Sequence, residues 1–422
     1  MINRSFAACC LGLPLVLLTT SAVSAQNGPQ PGVIENVDRE KGTVTITHGG
    51  KQDEFQIADS TRLMDLDGKP IGERLKDERI NKGAAVFFKP LDDDPKTLMG
   101  LKLRRANERP GQPGGGRRPE LVKVDTSSFK PLDELGADGY HGYQGGLYPG
   151  GTNERPADHE AAGIKLASQV APLDAQGQHA EDGRIVLLTV GMSNTMQAST
   201  AFKRLADADG EKNPRLVIVN GAQGGMSADR ITNPDDGASG QKYWNAVDEA
   251  LKRAGVTREQ VQVVWMKQAE PGPTQGFPKY AQKLEQDMAA IVRILPGRFP
   301  NVKLCYLSPR TYGGYAKSPL NPEPYAYESA FSIKWLIERQ LQGDAELNCD
   351  PQKGPVQAPW LSWGAYLWAN GSKPNSAGLA FEEADFAPDG THESPTGQQK
   401  VGRQLLSFFK TDSTTKPWFR QQ

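Results

Sequence analysis

The sequence lacks several features that would place a protein in a class at once. Its 422 residues include only four cysteines and five histidines, and its formal net charge is −1. The chain carries no basic stripe, which excludes nucleic acid as an expected partner. No internal repeat is visible. The composition, 37% hydrophobic and 23% charged, is that of a soluble globular protein, and the length allows more than one domain.

Only the N-terminus holds a long apolar run. The chain begins MINRSFAACCLGLPLVLLTTSAVSAQ, in which Arg4 precedes an apolar run and Val23-Ser24-Ala25 closes it. This pattern predicts a signal peptide over residues 1–25, cleaved after Ala25. A membrane anchor is the alternative, but the apolar part is short for a bilayer core of about 30 Å. We therefore expect an exported protein, periplasmic or secreted, with no stable membrane insertion after cleavage.

Removal of residues 1–25 leaves two cysteines, Cys305 and Cys349. In an oxidising compartment the two can form a disulfide. The alternative is that Cys305, inside the apolar run VKLCYL, stays a buried thiol. The sequence does not decide between these two states.

The N-terminal third is typical of a small all-β domain. Residues 30–104 hold short alternating segments rich in Val, Ile, Thr and Phe, separated by Gly and Asp turns. They predict a small β-barrel or sandwich, whose role the sequence does not define. Residues 105–125 are rich in Pro, Gly and Arg, and we interpret them as a flexible linker.

The remainder, residues 126–412, is typical of a doubly wound α/β domain. Continuous apolar runs at 184–190, 215–220, 261–266 and 302–307 predict strands of a parallel sheet that is covered on both faces. Helical patterns fill the gaps between and after them, at 196–207, 241–254, 277–294, 325–342 and 395–410. Ser394 is the expected N-cap of the last helix, followed by Pro395 in its first turn.

Candidate catalytic side chains follow the predicted strands, where open α/β sheets bind their ligands. Ser193, in GMSNT after the first run, is the candidate nucleophile; a plain N-cap serine is the alternative. His392, in PDGTHESPTG before the last helix, is the candidate base, and Asp389 can orient its ring. The alternative is that the last two are ordinary loop residues.

An attack by a serine hydroxyl on an acyl carbon also needs hydrogen-bond donors for the developing oxyanion. The backbone N–H of Ser193 is one candidate. The glycine-rich segment NGAQGG offers another, from Gly224 or alternatively Gly221. Gln268, two residues past the third run, can donate from its side-chain amide; an ordinary loop glutamine is the alternative.

These blocks together resemble the SGNH hydrolases, also called the GDSL esterase and lipase family. VGMSNT matches the serine block, NGAQGG the glycine block and PDGTHESPTG the Asp-x-x-His block, in the family's order across about 185–410. The resemblance implies a flavodoxin-like sheet and a Ser-His-Asp triad. Carried over by position, the catalytic residues are Ser193, His392 and Asp389, with Gly224 and Gln268 as oxyanion donors.

The sequence departs from the family's pattern at two blocks. Gly-Asp-Ser is GMS here, at 191–193, and Gly-x-Asn-Asp is replaced by MKQA, at 266–269, which keeps an amide one methylene longer. The segment VWMKQAE is weakly similar to the Trp-x-Gln-Gly-Glu block of the sialate and acetyl-xylan esterase branch. These departures bear on the third oxyanion donor and on the substrate more than on the triad.

The resemblance implies a serine esterase that forms an acyl-enzyme on Ser193, with acetyl as the expected acyl group, and the predicted signal peptide adds that this esterase is exported. Seven aromatic residues near the expected mouth favour a carbohydrate ester: Tyr312, Tyr315, Tyr325, Tyr327, Trp360, Trp363 and Trp368. For Trp363 and Trp368, packing in the core is the alternative. Arg310 and Tyr312 are candidate substrate-binding residues, the arginine for a carboxylate or sulfate, with a local acid as its alternative partner.

A second hypothesis belongs to a different class. It is a catalytically inactive protein that keeps the fold and binds a glycan or cell-surface polymer. The intact triad favours the esterase, and the altered third block favours the binding protein. His141 and His159 lie in the Gly- and Tyr-rich segment 139–159, which we interpret as an ordered loop. No third ligand accompanies them, so we expect neither metal nor cofactor. The oligomeric state is left open.

Overall fold

The computed structural model describes residues 29–421 apart from 67–68, 92–93, 105–120 and 122. The chain divides into two compact units between Arg118 and Pro119. The predicted signal peptide, residues 1–25, and most of the predicted linker, residues 105–125, lie outside the described residues.

The first unit contains one six-stranded sheet. Its strands are β1 Gln30–Asp38, β2 Thr43–His48, β3 Lys51–Gln56, β4 Arg62–Met64, β5 Ala85–Pro90 and β6 Leu98–Leu103. They lie in the order β3-β2-β1-β5-β6-β4, and all neighbours are antiparallel except β4 and β6. Alternate apolar side chains such as Ile34, Val44 and Phe88 are buried and form a separate core.

The second unit is built on a five-stranded parallel sheet. Its strands are β9 Ile185–Gly191, β10 Leu216–Asn220, β11 Val261–Lys267, β12 Leu304–Leu307 and β13 Trp360–Trp363. They lie in the order β10-β9-β11-β12-β13. Every residue of β9, β11, β12 and β13 is buried, as expected for strands covered on both faces. The four predicted strands are confirmed to within two residues, whereas β13 was not predicted.

Helices cover both faces of this sheet. They are α1 Leu132–Leu135, α2 Ala157–Ala167, α3 Ser193–Asp207, α4 Ser239–Arg253, α5 Lys279–Arg298, α6 Tyr325–Leu341, α7 Pro395–Thr411 and α8 Lys416–Phe419. One core joins the sheet to α4, α5 and α6, and the other joins it to α3 and α7. Among the described residues, no helix combines the length and apolar character needed to cross a membrane.

The last long helix begins as the sequence predicts. The Oγ atom of Ser394 accepts a hydrogen bond from the backbone N–H of Gly397 at 3.5 Å, and Pro395 occupies the first turn. The N-cap interpretation of Ser394 is confirmed. This cap lies two residues after His392 and fixes the start of α7 at Pro395, and therefore limits where the histidine can lie.

The segment 139–159 contains regular secondary structure, whereas the sequence predicted an ordered loop. It contains a two-stranded hairpin, β7 Gly139–Tyr140 and β8 Tyr143–Gln144, and the start of α2. His159 is buried, stacks on Trp360 with ring centroids 4.7 Å apart, and its Nε2 lies 2.8 Å from the carbonyl oxygen of Leu361. Its ring therefore packs inside the protein.

Both described cysteines are free thiols in this structure. Cys305 lies in β12 and is fully buried, while Cys349 is partly buried. Burial raises the pKa of both thiols. The buried-thiol alternative for Cys305 is therefore the one that the structure contains.

Candidate active site

Ser193 lies at the turn between β9 and α3. The turn needs a glycine at position 191, because a Cβ atom there would lie 2.4 Å from the carbonyl oxygen of Lys267 and from Oγ1 of Thr195. The N-cap of α3 is Met192, so Ser193 is the first helical residue and the alternative of a plain N-cap serine does not hold. Its Oγ lies 2.8 Å from Nε2 of His392, across 199 residues of sequence.

The other ring nitrogen of His392 faces Asp389. Nδ1 of His392 lies 2.6 Å from Oδ2 of Asp389, and Oδ1 of Asp389 accepts the backbone N–H groups of Thr391 and His392, each at 3.0 Å. Gly390 permits this tight turn: its φ is +65°, and a Cβ there would lie 1.8 Å from the carbonyl oxygen of Tyr315. The structure therefore brings Ser193, His392 and Asp389 into one hydrogen-bonded chain.

The environment of Asp389 favours its carboxylate form. Burial opposes the charge, but the hydrogen bonds from the His392 ring and from the backbone N–H groups of Thr391 and His392 outweigh it, and together they lower the pKa of Asp389. An ionised Asp389 can accept a hydrogen bond from Nδ1–H of His392, an arrangement that favours the tautomer whose Nε2 accepts a proton from Ser193.

A buried polar cluster lies beside the triad, and sequence reasoning missed it. It is centred on Glu393, whose side chain is 0% exposed. Oε1 of Glu393 accepts from Oγ1 of Thr311 at 2.8 Å and from Nζ of Lys267 at 3.4 Å, and Oε2 accepts from Nδ2 of Asn194 at 3.1 Å. One signal was available: Lys267 ends an otherwise apolar strand, where an unpaired ammonium would be costly.

Burial shapes the charges in this cluster. It lowers the pKa of Lys267 to about 8, although the charge of Glu393 opposes the shift. Burial alone would raise the pKa of Glu393, but the charges of Lys267 and Arg310 outweigh it and lower that pKa. Glu393 is thus held as a carboxylate by cations and hydrogen bonds that have little access to water.

The candidate oxyanion donors lie on two neighbouring loops. Gly224 is exposed in the loop after β10, and this loop is tied to the end of β9 because Gln223 donates its N–H to the carbonyl oxygen of Gly191 at 3.0 Å. Gln268 follows β11 and is only 2% exposed. Its Nε2 donates to the carbonyl oxygen of Met226 at 3.2 Å, which places Gln268 against the loop that carries Gly224.

Arg310 does not lie where the sequence prediction places it. Its side chain is buried, and its Nε donates to Oδ1 of Asn321 at 3.0 Å. The guanidinium is therefore enclosed by protein; burial lowers the pKa of Arg310, and the charges of Glu393 and Glu323 oppose this shift. This placement corrects the expectation that Arg310 meets a substrate anion at an open site, because strand β12 delivers it into the core.

The predicted aromatic mouth is also corrected in part. Tyr327 and Trp360 are buried, and for Trp363 and Trp368 the core-packing alternative is the one that the structure contains. Three of the seven aromatic residues remain partly exposed: Tyr312, Tyr315 and Tyr325. The hydroxyl group of Tyr312 lies 3.0 Å from Oγ1 of Thr126, and the rings of Tyr312 and Tyr315 meet edge to face at 5.1 Å.

Comparisons with known proteins find only distant likenesses. No family model matches the chain, and no curated protein matches it. A lipase from a goat rumen metagenome is 11% identical, with a TM-score of 0.32 over 53% of this chain and 96% of the lipase. A putative acylhydrolase from Bacteroides fragilis is 12% identical, with a TM-score of 0.30 over 60% of this chain and 96% of that protein. A carbohydrate acetylesterase from Xanthomonas citri is 13% identical, with a TM-score of 0.28 over 91% of this chain and 71% of the esterase. Likenesses at these TM-scores carry no argument about activity.

Proposed function

We propose that the second unit is a serine ester hydrolase with an SGNH-type active site. The observation that carries the proposal is the chain of hydrogen bonds from Ser193 through His392 to Asp389, at 2.8 Å and 2.6 Å. A serine hydroxyl becomes a useful nucleophile when an oriented imidazole accepts its proton. The three groups have the distances and the order that this chemistry needs.

The strand order supports a flavodoxin-like arrangement. Counted along the second unit, the parallel strands lie in the order 2-1-3-4-5, with β9 as the first strand. In such sheets ligands bind where the order reverses, outside the carboxyl ends of the strands. Here the reversal falls between β9 and β11, and Ser193 and Gln268 follow these two strands.

The proposed reaction proceeds through an acyl-enzyme. Oγ of Ser193 attacks the acyl carbon while Nε2 of His392 takes its proton, and Asp389 stabilises the resulting imidazolium. When the tetrahedral intermediate collapses, His392 returns the proton to the leaving alcohol oxygen, and the acyl group stays on Ser193. Water then attacks the acyl group with His392 as base, releasing the acid and restoring Ser193.

The oxyanion would be stabilised at the N-terminus of α3. The N–H of Ser193 belongs to the first turn, where the helix leaves its amide hydrogens unpaired and the macrodipole favours negative charge. We propose the N–H of Gly224 and the amide of Gln268 as the further donors. Both lie on loops at the same edge of the sheet as Ser193.

We propose an acylated carbohydrate as the substrate, with acetyl as the acyl group. The sequence blocks imply a small acyl group by their resemblance to SGNH hydrolases. The partly exposed pair Tyr312 and Tyr315 offers an aromatic surface beside the turn that holds Asp389, since Gly390 packs directly on the backbone of Tyr315. Aromatic side chains of this kind can pack against sugar rings. The pattern of residues 1–25 supports an extracytoplasmic location for such a reaction.

A short-chain aryl acetate tests the hydrolase proposal. Wild type should release the phenol at a rate at least about 10³-fold above the Ser193→Ala variant, since removing the nucleophile leaves only binding and oxyanion stabilisation. Ser168→Ala, which removes an exposed hydroxyl at the end of α2, should keep the wild-type rate. Equal background rates for wild type and Ser193→Ala would contradict the proposal and favour the inactive binding protein.

The substrate class needs a separate test. Tyr315→Ala should raise KM for an acetylated polysaccharide severalfold and leave KM for the aryl acetate unchanged. Tyr315→Phe is the matched control, because it keeps the ring and loses only the hydrogen bond to the carbonyl oxygen of Phe381. Hydrolysis of long-chain esters alone would overturn the carbohydrate assignment.

A further inference from the structure

We propose that Asn194 is a positioning residue that sets the distance between Ser193 and His392, with Glu393 as its partner. The inference rests on the proposed function of these two residues. Asn194 does not meet the reacting atoms in this assignment. It acts by joining the element that carries the nucleophile to the turn that carries the base.

The geometry of one amide group points to this role. Asn194 follows Ser193 directly, and its Nδ2 donates to the carbonyl oxygen of Thr391 at 2.8 Å and to Oε2 of Glu393 at 3.1 Å. Thr391 and Glu393 are the two neighbours of His392 in the sequence. One amide beside the nucleophile therefore bonds both sides of the base, with the Ser193–His392 hydrogen bond alongside.

Both acceptors depend on this amide. Asn194 is 1% exposed, and Thr391 and Glu393 are also buried. Buried acceptors that lose their donor incur a desolvation cost of about 1–3 kcal/mol each, and more when the acceptor is charged. An asparagine supplies two donors from one nitrogen, whereas an aspartate here would place a second carboxylate against Glu393.

Glu393, the charged acceptor of the Asn194 amide, is itself held by residues that follow or end two strands. Glu393 is held through Oε1 by Thr311, which follows β12, and by Lys267, which ends β11. The carbonyl oxygen of Lys267 in turn accepts from Oγ1 of Thr195 at 2.6 Å. The bonds thus form a closed circuit from α3 to β11, then to the histidine turn, and back to Asn194.

Such a circuit matters because proton transfer is sensitive to distance. Misplacing a reacting group by about 1 Å can cost on the order of 100-fold in rate. The two elements that carry Ser193 and His392 are far apart in the sequence, so no local backbone geometry holds their side chains together. Asn194 supplies a buried hydrogen-bonded connection between them.

The kinetic test compares Asn194→Ala with a matched control. We expect Asn194→Ala to lower kcat for an aryl acetate by about 10- to 100-fold at nearly unchanged KM, because the pair loses alignment and the substrate keeps its contacts. The control is Gln340→Ala, which also removes a buried amide that donates to two backbone carbonyls, those of Leu347 and Pro359. Its kcat should stay within about twofold of wild type, although its unfolding free energy should fall comparably.

A charge-swap pair keeps the proposal testable if the alanine variant fails to fold. Asn194→Asp sets two carboxylates against each other, and adding Glu393→Gln restores one donor and one acceptor between the two side chains. The double variant should recover part of the kcat that Asn194→Asp loses, a coupling that a double-mutant cycle measures. No recovery in a folded double variant would count against the assignment.

A crystal structure of Asn194→Ala separates this inference from the proposed function. We expect the Ser193–His392 distance to lengthen beyond about 3.5 Å, outside hydrogen-bond range. A distance unchanged from wild type, or a kcat equal to that of wild type, would overturn the role of Asn194. If wild type hydrolyses the aryl acetate no faster than Ser193→Ala, the hydrolase proposal is overturned instead. That outcome does not depend on the Ser193–His392 distance in Asn194→Ala.

Discussion

At the scale of single residues, Asp389 holds three hydrogen-bond donors with one carboxylate. Its Oδ2 faces Nδ1 of His392, and its Oδ1 accepts two backbone N–H groups of the same turn. The hydrogen bonds from the backbone N–H groups fix the orientation of the carboxylate, so that Oδ2 points at the imidazole. The side chain therefore both shapes the turn and selects the tautomer of His392.

The Asp389→Asn substitution should separate these two tasks. The asparagine oxygen can still accept the backbone N–H groups, but its amide nitrogen then faces Nδ1 of His392 and forces the proton to Nε2. We expect kcat for an aryl acetate to fall by about 10²- to 10⁴-fold with little change in stability. Initial rates and urea unfolding measure the two effects. Glu383→Gln, an exposed carboxylate paired with Lys317, should change neither; a similar loss in that variant would contradict a specific role for Asp389.

Gln268 provides a second residue-scale prediction. If its amide helps to bind the oxyanion, Gln268→Ala should lower kcat for the aryl acetate by about 10²-fold and leave KM nearly unchanged, because the interaction forms only in the transition state. Steady-state kinetics measure both constants. The control is Gln223→Ala. This variant removes the side-chain amide of the residue before Gly224, which donates to the carbonyl oxygen of Tyr243. Full activity in a folded Gln268→Ala variant would leave the oxyanion to backbone donors alone.

At the scale of elements, helix α6 carries a buried acid in its first turn. Glu328 is 1% exposed, and its Oε1 accepts from the hydroxyl group of Tyr140 at 3.1 Å. Burial, together with the nearby charge of Glu323, raises the pKa of Glu328 to about 7, from 4.5 for a free side chain. The helix is therefore more stable against the core when this acid is protonated.

This pKa makes the unfolding free energy depend on pH. Between pH 4.5 and about 7 the folded protein binds more protons at Glu328 than the unfolded chain, so its contribution to stability is complete below 4.5 and is lost as the pH rises through 7. The loss is on the order of 3 kcal/mol. Denaturant unfolding at a series of pH values should show Glu328→Gln gaining stability relative to wild type across this window. The control is Glu249→Gln, at an exposed position on α4, whose unfolding free energy should differ from that of wild type by the same amount at every pH. A pH-dependent difference as large as that of Glu328→Gln would contradict the assignment to Glu328.

At the scale of the whole molecule, each of the two units has its own apolar core. The first is filled by side chains of its six strands, such as Ile46 and Leu101, and the second by two layers on either side of the parallel sheet. The triad, the Glu393 cluster and both candidate oxyanion loops all belong to the second unit. The chemistry proposed here therefore needs only residues 119–422.

A chain truncated to residues 119–422 should fold and keep the wild-type kcat and KM for an aryl acetate. The expectation follows because this unit has its own core, and because the described hydrogen bonds of the triad and of the Glu393 cluster join residues of this unit. Circular dichroism and steady-state kinetics test it, with Ser193→Ala in the same truncated chain as the blank. A folded truncated chain with lowered kcat/KM on acetylated polysaccharide but full activity on the aryl acetate would assign the first unit to polymer binding.

The pattern of residue types was enough to predict the parallel strands of the second unit and to nominate the candidate triad. Continuous apolar runs predict buried parallel strands, and four of the five strands were found in this way. The strand β13 was missed because WLSW is short and was interpreted as part of an aromatic surface. The residue types and order of GMSNT and PDGTH were enough to pair Ser193 with His392, since few alternatives exist in a chain with five histidines.

The inward direction of several polar and aromatic side chains depends on the packing of the whole chain. Arg310, Tyr327 and Trp360 were expected at the mouth but are buried, because the helices packed against a strand determine the side to which the neighbouring side chains point. The Asn194–Glu393–Lys267 cluster was missed for the same reason, although the position of Lys267 at the end of an apolar run was one signal of it. Its members are distant in the sequence, and Asn194 and Glu393 are each compatible with a solvated surface until the fold removes water from all three together.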